Sequence, residues 1–104
     1  MERRVEPWAS RAVGRFNKRR KKLPSKEVKR VLNDEQAGVL QNPYRGERKH
    51  GPLKDIWVVK FEAQNDQYLL AYEIVEKDRV VIFYDVGQHE SFYPELERYK
   101  KAAK

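Results

Sequence analysis

The sequence predicts an α+β domain: an N-terminal helical hairpin packed on one face of a small antiparallel β-sheet, followed by a short C-terminal helix. Three observations predict it. Apolar residues recur at helical spacing as far as about residue 40, the period changes to two from Ile56, and a last helical pattern surrounds Leu96 and Tyr99. At 104 residues, a single domain spanning 1–104 is expected, because a second core would be too small to hold itself together.

The first helix is predicted over about 7–22. Trp8, Ala12 and Phe16 recur at four-residue spacing beside Ala9 and Val13, Pro7 suits a first helical turn, and Gly14 weakens the interior. Leu23-Pro24-Ser25 breaks the chain, and Ser25 is placed to cap a second helix over about 26–40, carried by Val28, Val31, Leu32 and Val39. So short a turn makes the two helices an antiparallel hairpin. Asn42-Pro43 ends the second helix, and residues 41–54, with two glycines and two prolines among charged residues, read as an irregular basic loop. Trp57, Val59 and Phe61 then point one way, with Ile56, Val58, Lys60 and Glu62 the other. Turns at Gln64-Asn65-Asp66 and Glu76-Lys77-Asp78 separate this strand from Tyr68–Ile74 and Arg79–Val86, which gives a three-stranded meander. Gly87 ends the last strand, and a helix is predicted over Glu95–Lys101. With the helices on one face, the opposite face, which carries Lys60, is left free for function.

Composition narrows the classes. Hydrophobic residues make up 39% of the chain, but 12% are aromatic and much of the apolar content falls in dense runs, which fits a small core under a charged surface rather than disorder. There is no cysteine, so disulfides and thiolate metal sites are excluded. No apolar run approaches the roughly eighteen residues of a membrane span, and no apolar stretch follows the basic N-terminus, so a soluble cytoplasmic chain with no membrane partner is expected. The net charge of +7 is unevenly spread: residues 1–30 hold twelve bases and three acids, and the remainder is slightly acidic. The run Lys18-Arg19-Arg20-Lys21-Lys22 repels itself and calls for a polyanion or an acidic partner.

No phosphate loop, nucleophile elbow, zinc-site spacing or glycosidase carboxylate pair is present. What remains is a set of cations, two histidines and a tyrosine around one sheet. Lys54 precedes the first long strand, Lys60 lies on it, His89 follows Gly87 by two residues, and Tyr93 comes four residues later. RNA cleavage by attack of a ribose 2′-hydroxyl suits such groups. It needs a base for that hydroxyl, an acid for the leaving 5′-oxygen, and positive charge at the phosphorane, and it requires no metal or other cofactor. His89 titrates near neutrality, lysines stabilise phosphate, and Tyr93 can stack on a base. Each of these residues also has an ordinary structural role open to it, as a turn residue, a core aromatic or an exposed lysine.

The ordered set Phe16 to Pro24, Leu40 to Glu47 (with Asn42-Pro43 and Gly46), Gly51 to Phe61, Tyr68-Leu-Leu-Ala-Tyr72 and Gly87-Gln-His89-Glu-Ser-Phe92-Tyr93 resembles the RelE/ParE superfamily of bacterial toxins over about residues 8–99. The resemblance implies a helical hairpin on a small antiparallel sheet with a variable C-terminal helix. It also implies the toxin of a type II toxin–antitoxin system, neutralised by a cognate antitoxin protein in a possible hetero-oligomer. RelE-like members cleave mRNA in the ribosomal A site, which makes mRNA and the ribosome partners and assigns catalysis to Lys54, Lys60, His89 and Tyr93. His50 is an alternative to Lys54. Arg45, Arg48, Lys49 and His50 of the basic loop, with Arg79, are assigned to RNA binding. Leu69 departs from the pattern, since several relatives carry arginine there, with Arg79 or Arg48 as spatial substitutes, and Asp85 is unexpected near a phosphate site. The alternatives are a ParE-like DNA gyrase inhibitor on the same fold, and a non-enzymatic basic module that binds nucleic acid or protein. The antitoxin is expected to be acidic where it covers residues 45–60 and the N-terminal basic helix.

Overall fold

A computed structural model describes residues 6–102, with the side chains of residues 89–91 and 102 outside that description. Strands β1 (Ala9–Ala12), β2 (Glu47–Arg48), β3 (Trp57–Ala63), β4 (Asp66–Val75) and β5 (Val80–Gln88) form one sheet in the order β1-β5-β4-β3-β2. Helices α1 (Gly14–Lys21) and α2 (Lys26–Gln41) form the hairpin on one face, and α3 (His89–Ala102) covers part of the other.

The meander of β3, β4 and β5 forms as the period-two pattern predicts. Val59, Phe61, Tyr68, Leu70, Tyr72, Val81, Phe83 and Val86 face the hairpin, where they bury Phe16, Val28, Leu32 and Val39. Ser25 caps α2 as expected, its hydroxyl accepting the Val28 N–H at 3.2 Å. That hydroxyl also donates to Gln64 Oε1 at 2.9 Å, which ties the hairpin turn to the β3–β4 turn. Gln64 and Asn65 both take positive φ there, so this tight turn uses the left-handed region twice.

Four expectations are corrected. First, residues 9–12 are a strand, not the start of a helix: β1 pairs parallel with β5, Ala9 opposite Val80 and Ala12 opposite Phe83. The helical stripe fails because Ala9 and Ala12 are exposed and would bury nothing, whereas strand pairing satisfies backbone groups along the edge of β5. The sheet is therefore mixed. Second, the loop 41–54 is largely structured, with 3₁₀ turns at Pro43–Arg45 and Gly51–Leu53 around β2, which pairs antiparallel with β3. Third, the C-terminal helix begins at His89 and runs through Pro94. Fourth, the second sheet face is not free. Phe92 and Leu96 of α3 bury Leu53, Ile56, Val58, Leu69 and Ala71 in a second apolar cluster. Among the described residues, no helix is long and apolar enough to cross a membrane.

Candidate active site

The site is built on the α3 face of the sheet. Alternation along β3 sends Lys60 to the same face as Ile56 and Val58. Lys60 stands opposite Leu69, which stands opposite Gly87, so the three residues form one row across β3, β4 and β5. Leu69 is fully buried and Lys60 is exposed. No ion-pair partner for Lys60 occurs among the described residues. From Gly87 the chain needs one more strand residue, Gln88, before α3 starts at His89 and turns back over the face.

This course brings Tyr93 to Lys49. The tyrosine packs edge-to-face on Phe92 at 5.3 Å, and the Lys49 ammonium lies 5.1 Å from its ring centre. Lys49 is fixed by its backbone N–H, which donates to Ile56 O at 2.8 Å, and by an ion pair with Glu47 at 3.2 Å. Burial pulls the Lys49 ammonium down, but Glu47 and Tyr93 outweigh it, so its pKa is raised and it stays a cation. It suits phosphate stabilisation better than proton abstraction.

The other assigned residues are placed as follows. Arg45 lies across Gly38 of α2, where a β-carbon would collide with its guanidinium, and pairs with Glu35 at 3.5 Å. It shares an edge groove with Glu47, Val58 and Lys60. His50 is exposed, leading into the second 3₁₀ turn. Lys54 ends that turn, ahead of Asp55, whose positive φ bends the chain into β3. The Lys54 carbonyl accepts from Lys100 Nζ at 3.0 Å, near the far end of α3. Arg48 faces Asp55 at 3.7 Å. Arg79 sits at the opposite end of β5 from Gly87, stacked on Trp8 at 4.7 Å and donating to Glu6 O at 3.0 Å. Neither arginine stands in for the one missing at Leu69. Lys60, Lys49 and Tyr93 share the face, with Arg45 at its edge and Lys54 against the C-terminal part of α3, while Arg48 and Arg79 lie elsewhere. The His89 side chain lies outside the described residues.

Asp85 resolves differently from its sequence reading. It is fully buried, and Arg15 and Arg19 of α1 reach it at 3.0 and 3.1 Å. The Val86 N–H donates to it at 2.8 Å. Burial raises the pKa of its carboxyl, and the two arginines offset only part of that rise. Both arginines also reach Glu95 of α3, at 3.4 and 3.0 Å. β1 covers only the first half of β5, and through the open second half the arginines link α1 to α3. The Arg19 guanidinium rests against Gly87, where a β-carbon would come within 2.4 Å of it. Sequence reasoning missed this network, and its signal was the solitary acid in the apolar run of β5. Among the described residues, no group of three His, Asp or Glu side chains is placed to hold a metal ion.

A two-helix hairpin and a returning C-terminal helix on either side of a five-stranded sheet, with cations at one strand end, define the small bacterial toxins of the RelE fold. The match in solved structures spans nearly the whole of those proteins. An E. coli RelE mutant in the free state superposes with a TM-score of 0.71 at 23% identity, covering 92% of this chain and 98% of that one. The toxin–antitoxin complex RelBE2 from Mycobacterium tuberculosis gives 0.67 at 19%, covering 85% and 98%. The intact E. coli RelBE toxin–antitoxin complex gives 0.65 at 25%, covering 80% and 98%. Curated protein sequences give no match. Residues 11–97 match the ParE-like toxin of type II bacterial toxin–antitoxin systems, and the chain belongs to that family.

Proposed function

We propose that this toxin is an RNA endonuclease acting on mRNA at the ribosome. The reaction forms a bond from the ribose 2′-oxygen to phosphorus and breaks the bond from phosphorus to the 5′-oxygen. One proton leaves the 2′-hydroxyl for a base, and one reaches the departing 5′-oxygen from an acid. His89, at the first residue of α3, takes one of these proton transfers. Lys60 and Lys49 hold the dianionic phosphorane, and Tyr93 stacks on a flanking base. One arrangement supports this reading: Lys60, unpaired among the described residues, shares a strand row with Gly87 and a sheet face with the Lys49–Tyr93 pair. Lys54, whose carbonyl accepts from Lys100 of α3, is kept as a further cation beside the same helix.

The test is translation-coupled mRNA cleavage. His89→Ala with Tyr93→Ala should abolish cleavage and relieve growth arrest while the far-ultraviolet spectrum holds and the melting midpoint falls only by the lost packing of Tyr93 on Phe92. A double variant that stays fully toxic would overturn the assignment.

A second reading, inhibition of DNA gyrase, is favoured by Leu69, which puts an apolar residue at the centre of the row where several nuclease relatives carry arginine. DNA-damage signalling with intact translation would select it. On either reading the partner is a cognate antitoxin, as in the RelBE complexes, acidic where it meets residues 45–60.

A further inference from the structure

Helix α1 carries two kinds of cation. Arg15 and Arg19 turn inward to Asp85 and Glu95. Lys18, Lys21 and Lys22, with Lys26 and Lys29 at the start of α2, have no carboxylate partner among the described residues. The planar guanidinium forks are used for fixed internal pairs, and the flexible point charges are left to solvent. Five like charges around one turn repel each other, and no ion pair among the described residues offsets them.

Lys22, the one of these lysines in its lining, borders a groove between the hairpin turn and the ends of β4 and β5. Leu23 and Pro24 give it an apolar wall, Arg19 and Lys22 a cationic one, and Gly87 and Gln88 close it immediately before His89. Asp66 is the one carboxylate among its described lining residues. The groove therefore meets the Lys60 row at Gly87 and reaches the unpaired lysines at Lys22.

We propose that this groove carries the single-stranded RNA next to the scissile phosphate, in an extension of the nuclease reading on which it rests. One flanking base packs on Leu23 and Pro24, its phosphate meets Lys22, and the following phosphates reach Lys18 and Lys26. An apolar platform beside a row of point charges fits a nucleotide's two halves, and it tracks a backbone without reading sequence. Asp66 marks the wall the phosphates avoid.

The test uses the full chain and fully 2′-O-methylated single-stranded RNA, which cannot be cleaved, in lengths of about four and about ten nucleotides, with binding read by fluorescence anisotropy. The wild type is expected to hold the longer strand more tightly. Lys18→Gln with Lys22→Gln should weaken the longer strand about tenfold and lower its salt slope by about 1.4, the loss of two single-strand phosphate contacts. The short strand should be nearly unaffected. Asp66→Asn should tighten the longer strand. All the substituted side chains are exposed, and circular dichroism checks the fold. Equal affinity for both lengths, or a double variant that binds the longer strand like wild type, overturns the groove while leaving the active-site reading standing. Lys60→Gln tests that reading separately, because it should weaken both lengths. If the double variant instead loses only affinity for a poly-glutamate peptide, the surface belongs to an acidic protein and the proposal fails.

Discussion

The two ends of the sheet treat their charges in opposite ways. At the end where β3 and β5 begin, nearly every polar tip is matched. Arg79 stacks on Trp8 and bonds the Glu6 carbonyl, the Tyr44 hydroxyl donates to Glu76, the Tyr84 hydroxyl donates to Glu73, and Arg48 faces Asp55. Trp8, Tyr44 and Trp57 stack edge-to-face through this cap at 6.1 and 5.6 Å. At the other end Lys60, Lys18 and Lys22 stand without carboxylates among the described residues, around a glycine at position 87. Matched charges fix geometry, and unmatched ones leave binding energy for a ligand to collect. On the proposed reading, the unmatched end is the one that meets RNA.

The largest effect should come from the device that joins the halves. Asp85→Ala removes the buried partner of two part-exposed arginines and leaves them Glu95 alone, which should cost about 3 kcal/mol, the low end for breaking a buried pair, read as a lowered urea midpoint. Next comes Trp8→Ala at the matched end. It removes a ring held by Arg79, Tyr44 and the hairpin core and should cost about 2 kcal/mol, with growth arrest surviving at permissive temperature. A smaller, pH-dependent effect belongs to Tyr72. Its buried hydroxyl donates to Pro43 O at 2.7 Å, and burial pushes its pKa up to about 12. The folded chain keeps this proton where the unfolded chain releases it near 10, so the contribution is whole below pH 10 and is lost as pH rises through 12. Tyr72→Phe should be less stable than wild type by about 1 kcal/mol at pH 8, with the gap closing by pH 11 in paired urea titrations. Smallest in stability is Lys60→Gln, which should leave the midpoint unmoved while growth arrest is lost. A midpoint that fell as far as for Trp8→Ala would erase the contrast between the two ends.

What the sequence made legible follows from how local each determinant is. Helix α2 was readable because its apolar period and its Ser25 cap lie within one stretch of chain. The face of Lys60 was readable because alternation along β3 is unbroken. Strand β1 was not, because its four residues are exposed and its partner lies about 70 residues away. The start of α3 was obscured by Pro94, which reads as a breaker but sits inside the helix. At the site, the Lys49–Tyr93 contact depends on the register of a two-residue strand and on the return path of α3, neither of which has a local pattern. Asp85 was misjudged because the ladder slips between Ala71 and Tyr72, leaving Tyr84 as an extra residue and re-aiming its neighbours.

The central place of β5 has a consequence for how the molecule comes into being. This strand pairs with both β1 and β4, and its Asp85, with Glu95 further on, holds the arginines of a helix made about 65 residues earlier in the chain. A nascent chain stopped short of residue 80 has no seat for its first strand and no counter-ions for Arg15 and Arg19. Products ended before residue 80 therefore lack the partners of both the first strand and the first helix, and the toxin can close its fold only once β5 and the start of α3 have been made.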